Sequence, residues 1–154
     1  LTGGEFQRAH LGNFDEHDHA SAGAAHTWIR SQSDAPALRA DVTAAGWLWR
    51  RVDHGDRDAQ VLTDVVGILA QRARRNMSRN TPGEPHVMLA VGPEVPWHLR
   101  ELRLIAAVGR AHDVHLGVVA ERLSSAGRFA HDRGFVDNIG GWYPGRPPLH
   151  DRSR

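Results

Sequence analysis

Residues 86 to 125 constrain the fold more than any other stretch. The run His86-Val87-Met88-Leu89-Ala90-Val91 is apolar without alternation, and so is Val114-His115-Leu116-Gly117-Val118-Val119. Between them lie a turn at Gly92-Pro93-Glu94 and an amphipathic run ending at Gly109-Arg110. A strand wetted on one side alternates apolar and polar residues, whereas a strand covered on both sides does not. Cover on both sides is the mark of a parallel sheet packed under helices. Strand, helix, strand at this spacing predicts a βαβ unit with a right-handed crossover. The fold class that follows is α/β: a small, mostly parallel sheet with flanking helices.

The rest of the chain is read around that unit. Residues 1–25 form a loop-rich arm, 26–140 a single α/β domain and 141–154 a turn-rich tail. His26 to Arg30 reads as a short strand. Ser33 or Asp34 caps a helix with Pro36 in its first turn, and Leu38, Val42, Ala45 and Trp49 share one helical face. Trp47 and Trp49 read as packing residues rather than a stacking platform. A second helix spans Asp58 to Asn76 on a stripe of Val61, Leu62, Val65, Leu69 and Ala73. The crossover helix starts near Pro96-Trp97, with Leu99, Leu102, Ala106 and Gly109 on one face, and Phe129 to Ile139 reads as a short helix.

Composition removes whole classes of chemistry. All 19 basic residues are Arg, so there is no Schiff-base lysine and no phosphate loop of the GxxxxGK[ST] type. With no cysteine there is no disulfide, thiolate nucleophile or Cys-ligated metal. A net charge of +1 gives no general field favouring nucleic acid. No apolar run is long enough to span a bilayer, and no secretory signal is visible, so the expected location is cytoplasmic without membrane insertion. The oligomeric state is left open.

Three groups of residues are candidates for function, each with a plainer alternative. Ligands of open α/β sheets gather beyond the carboxyl ends of the strands. Glu94, Glu121 and Arg122 stand at those ends and could converge on one rim as acid, base and cation, or be ordinary loop residues. Arg72, Arg74, Arg75, Arg79 and Arg110 offer phosphate contacts, although cations near a helix C-terminus also complement its dipole. His112 and Asp113, with His115 close by, suggest a divalent metal. His10, Asp15, His17, Asp18 and His19 match no metal spacing and read as a solvated segment.

Two family resemblances sharpen these alternatives. The run Leu104 to Asp113 resembles the helix carrying the His-Asp pair of HD-domain phosphohydrolases, an all-helical family. That resemblance implies metal ligands at His112 and Asp113, an earlier His10 or His26, and a later Asp132 or Asp137. The segment Gly109-Arg110-Ala111-His112-Asp113-Val114-His115-Leu116, followed by Val118-Val119-Ala120-Glu121-Arg122-Leu123-Ser124, resembles G-R-A-x-G-I-H-L-x-x-A-T-Q-R-P-S of the FtsK/SpoIIIE family of RecA-like DNA-translocating ATPases. On that resemblance Val87 to Val91 takes the Walker B position, the Asp58–Arg75 helix precedes it, and Phe135-Val136-Asp137-Asn138-Ile139 follows. The chain departs from the family where nucleotide is handled. Gly92-Pro93 replaces the Walker B acids, with Glu94 one place late, and Glu121 stands where a sensing Gln belongs. Lysine cancels charge on the β- and γ-phosphates, and an acidic pair holds magnesium. The resemblance therefore implies a degenerate or partial RecA-like layer with no ATP or magnesium cofactor. Such a module would act through DNA or through partners in a larger ATPase assembly. The alternatives are the HD-type hydrolase and a plain α/β interaction domain.

Overall fold

The two apolar runs are adjacent strands. The computed structural model describes residues 26–54, 56–75, 84–96, 99–121, 135 and 137–145. The helices and strands are β1 (His26–Ile29), α1 (Ala35–Ala44), β2 (Leu48–Val52), α2 (Ala59–Arg75), β3 (Val87–Val91), α3 (Arg100–Val108), β4 (Val114–Val119) and β5 (Ile139–Tyr143). Two 3-10 turns, Gln32–Asp34 and Gly109–His112, precede α1 and β4. β3 and β4 pair with Val87 opposite Val114 and Val91 opposite Val118. All strand pairs are parallel, and the order across the sheet is β2-β3-β4-β1-β5. The first strand thus lies between the fourth and the fifth, a small Rossmann-like layer.

Strand alternation sorts the core into two faces. On one, Leu38 and Val42 of α1 pack on Ile29, Met88, Ala90 and Val119. On the other, Leu62, Val65 and Leu69 of α2 and Leu102, Ile105 and Ala106 of α3 pack on Val87, Leu89, Val91, Val114, Leu116 and Val118. Each of these Val, Leu, Ile and Met side chains contributes about 1.5–3 kcal/mol on leaving water. Both faces of β3 and β4 are covered, which is why those strands do not alternate.

Glycine ends two elements for different reasons. Gly46 takes φ +86°, stopping α1. Gly109 lies where the chain leaves α3 for β4, and a Cβ there would stand 2.3 Å from the Val114 carbonyl oxygen. Only a residue without a side chain admits that approach.

Three boundaries differ from the sequence reading. The helical face does not continue to Trp49, because α1 ends at Ala44 and Trp49 lies in β2. β2 is an edge strand with the burial of an edge: Leu48 is 47% exposed and Val52 fully buried. Its sequence, Leu-Trp-Arg-Arg-Val, lacks the apolar run of an interior strand. The tail contributes to the sheet, since Ile139 to Tyr143 pairs with β1. Gly140 and Gly141 hide that strand from a propensity argument. The helix expected over Phe129 to Ile139 gives way to strand at Ile139, and its earlier part lies largely outside the described residues.

Candidate functional site

Among the described residues, the densest gathering of chemistry-bearing side chains is at the amino edge of the sheet, on the face covered by α1. Trp47 immediately precedes β2, His86 immediately precedes β3, Asp113 immediately precedes β4, and His115 is the second residue of β4. The register that sets Met88 opposite His115 brings these chain entries together. His86 Nδ1 and His115 Nε2 are 3.0 Å apart. An Asp113 carboxylate oxygen is 3.7 Å from His86 Nδ1. Trp47 covers both imidazoles, its centroid 4.6 Å from His86 and 4.9 Å from His115. His86 and Asp113 remain part-exposed while His115 is fully buried.

Backbone geometry aims the carboxylate. Asp113 adopts φ 62°, a left-handed conformation that Asp tolerates better than most residues. Its carbonyl accepts the Val87 N–H at 2.9 Å, so the same residue starts the β3–β4 ladder. Arg72, near the end of α2, fastens the surrounding loops. Its guanidinium donates to the carbonyls of His112 at 3.0 Å and Pro85 at 2.7 Å, and pairs with Glu84 at 3.3 Å.

The imidazoles of the cluster are biased toward the neutral form. Burial lowers the His86 pKa, helped by the Arg72 charge and opposed by Asp113. Burial holds His115 well below the ordinary histidine value, with the neighbouring histidines and arginines adding to the effect. His26 belongs to a different job. Its Nδ1 accepts the Leu116 N–H at 2.9 Å, leaving Nε2–H to donate to the Ala106 carbonyl at 3.1 Å. Burial, and then the Arg110 charge, push it down to about 3. This ring is a neutral rivet joining β1, β4 and α3, with both nitrogens occupied.

A second feature lies at the opposite edge. A cleft of about 550 Å³ opens beyond the carboxyl ends of β2 and β3, lined by His54, Asp56, Arg57, Leu62, Glu94 and Glu101 among others. Asp58 organises its approach by accepting the Asp53 and His54 N–H groups at 2.7 and 3.0 Å, which lowers its pKa.

The residues chosen from sequence are dispersed over these features. Glu94 lines the cleft, whereas Glu121 accepts the Gln32 N–H at 3.3 Å beyond β1, so the two carboxylates serve different places. Arg122 and Arg79 lie outside the described residues, as do the N-terminal histidines and Asp132. Arg72 is committed to backbone carbonyls and Glu84, Arg75 pairs with the same Glu84, and Arg110 donates to Asn138 at 3.4 Å. Arg74 is exposed. The HD-type reading needs a helix continuing past Asp113, but the chain leaves α3 at Gly109 and residues 114–119 are a strand buried between neighbours. The His-Asp pair therefore closes a short 3-10 turn rather than sitting on a continuing α-helix, and the cluster draws on His115 rather than His112. The sequence singles out neither His86 nor Trp47 as a site residue, Trp47 reading there as a packing residue. With Val87 opposite Val114, His86 and His115 share a strand parity and a face, a match that only the register reveals.

Fold and site together define a parallel-sheet α/β domain with a histidine–carboxylate cluster at its amino edge. No family model, curated protein or solved structure matches the chain.

Proposed function

We propose that this domain is a degenerate RecA-like module of FtsK/SpoIIIE type that does not turn over nucleotide and acts through contacts with DNA or with other subunits of an ATPase assembly. The observation that carries the reading is the sheet order. A parallel sheet running β2-β3-β4-β1-β5, with the first strand between the fourth and fifth, supports a RecA-like arrangement. On this reading β3 would take the Walker B position, β4 the sensing position, and the β1–α1 connection the place of the phosphate loop.

The connection itself supports the absence of catalysis. Arg30-Ser31-Gln32-Ser33-Asp34 contains neither glycine nor lysine. A phosphate loop works by turning free backbone N–H groups toward an anion. Here the Gln32 N–H points to the Glu121 carboxylate at 3.3 Å, so the chain's own anion takes that donor. The Asp34 carboxylate, accepting from Ser31 Oγ at 2.9 Å, adds a second negative charge. The Glu121 carboxylate at this donor disfavours a polyphosphate, while the Asp34 charge is partly offset by Arg30 at 3.9 Å. Among the described residues no helix is long and apolar enough to cross a membrane, and a cytoplasmic location agrees with the reading.

Partner contact is the testable part. With Arg72 and Arg75 tied to Glu84, the cations available to DNA are fewer than the sequence suggests. Binding of duplex DNA, followed by fluorescence anisotropy, is expected to be weak, to fall steeply between about 50 and 200 mM salt, and to weaken further in Arg74→Ala. Magnesium-dependent ATP hydrolysis that disappears in Glu94→Ala or Glu121→Ala would overturn the proposal.

A further inference from the structure

We propose that His86, His115 and Asp113 form a binding site for one divalent transition-metal ion, zinc being the natural occupant, which clasps the entries to β3 and β4. The inference is independent of the RecA-like reading, because it uses side chains at the opposite edge of the sheet from the nucleotide positions.

The donor set and its spacing carry the argument. Two imidazole nitrogens and a carboxylate oxygen lie within 4.8 Å of one another. Nitrogen and oxygen ligands of that kind suit zinc, with the carboxylate supplying charge and a fourth position left for water. Ligand atoms around a tetrahedral zinc ion stand about 3.3 Å apart. The observed separations of 3.0 Å between the nitrogens and 3.7 Å from nitrogen to carboxylate bracket that value.

The rings meet almost edge to edge, with centroids 5.2 Å apart and planes 16° from parallel. In that arrangement a single proton bridges the two nitrogens. An ion takes the proton's place when that proton moves to the far nitrogen of its own ring and His86 tilts, turning its Nδ1 lone pair toward a point shared by Asp113 and the fixed His115 Nε2. His86 has room to do so, being 28% exposed, while His115 is held fixed under Trp47. Arg72 anchors the backbone on both sides of the gap, through Pro85 next to His86 and through His112 next to Asp113. It is a positioning residue for the site.

Two features limit affinity. A metal-bound imidazole is normally braced through its other nitrogen, and His115 Nδ1 is buried without a partner. The Arg72 cation also stands close to the ion. The missing brace alone weakens binding about 10–100-fold relative to a fully supported site. Ligation through Nε2 places the ring proton on that unpartnered Nδ1, which adds to the cost.

The test is zinc titration of the full chain by calorimetry, with cobalt absorption spectra as a second view. The expected result is one ion per chain, visible cobalt bands of a four- or five-coordinate site, and shifts of the His86 and His115 ring nitrogen resonances. Binding should weaken at least about tenfold in Asp113→Asn and more in His86→Ala. A chain with His10, His17 and His19 all changed to Ala should bind as wild type does. The proposal is overturned if wild type shows no saturable binding. It is equally overturned if the arm variant loses binding, or if the His86 and His115 resonances stay put while zinc binds. Those resonances are read on wild-type protein, so a variant that fails to fold does not blunt the test.

Discussion

Arg72 shows how one side chain can read one way in sequence and act another way in the fold. Its place at the end of a helix, beside Arg74 and Arg75, suggests a patch presented to solvent. In three dimensions its side chain is 11% exposed and spends its donors on three loop carbonyls and Glu84. Removing it strands those carbonyls and leaves Glu84 with Arg75 alone, so Arg72→Ala should cost about 3 kcal/mol, seen as a fall in the urea midpoint at constant slope. Arg74→Ala should stay within about 0.5 kcal/mol of wild type. Equal effects would mean that Arg72 is not the fastening described. Helix periodicity can place a residue on a face but cannot say that a loop 40 residues later folds back onto it. The same limit hid the His86–His115 meeting, which depends on strand register.

At the scale of elements, the parts written in local chemistry were legible. β3 and β4 follow from their unbroken apolar runs, and α2 from its stripe. β2 was obscured because Trp49 falls on the same helical spacing as Leu38, Val42 and Ala45, and Gly46 interrupts that face without erasing its pattern. β5 owes its order to β1 rather than to Gly140-Gly141. The α3–β4 junction gives a sharp test of packing against propensity. Gly109→Ala drives a methyl group into the Val114 carbonyl and should destabilise by about 3 kcal/mol. Gly67→Ala, in mid-α2 with nothing within 4 Å of its new methyl, should instead stabilise by about 0.5–1 kcal/mol. Thermal melts of the pair decide it; shifts of the same sign would refute the account of the junction.

For the whole molecule, the buried histidines couple folding to pH. His26 has a folded pKa of about 3 against 6.5 when exposed, so between those values the unfolded chain binds the extra proton. Stability should therefore be full above about pH 6.5 and decline as the pH falls toward 3, His26 alone accounting for roughly 4 kcal/mol. His86 and His115, also lowered, act in the same direction. His26→Gln should start less stable but show a shallower decline in urea melts across that window; an unchanged slope would refute the rivet. The sheet order and the Glu121 carboxylate at the end of β1 lead to the proposal of a degenerate RecA-like module that binds no nucleotide. Calorimetric titration of the purified chain with magnesium ATP tests that claim most directly. The account predicts no saturable heat up to millimolar nucleotide, in wild type and in Glu94→Ala alike. A one-to-one isotherm in wild type that is lost in Glu94→Ala would contradict it.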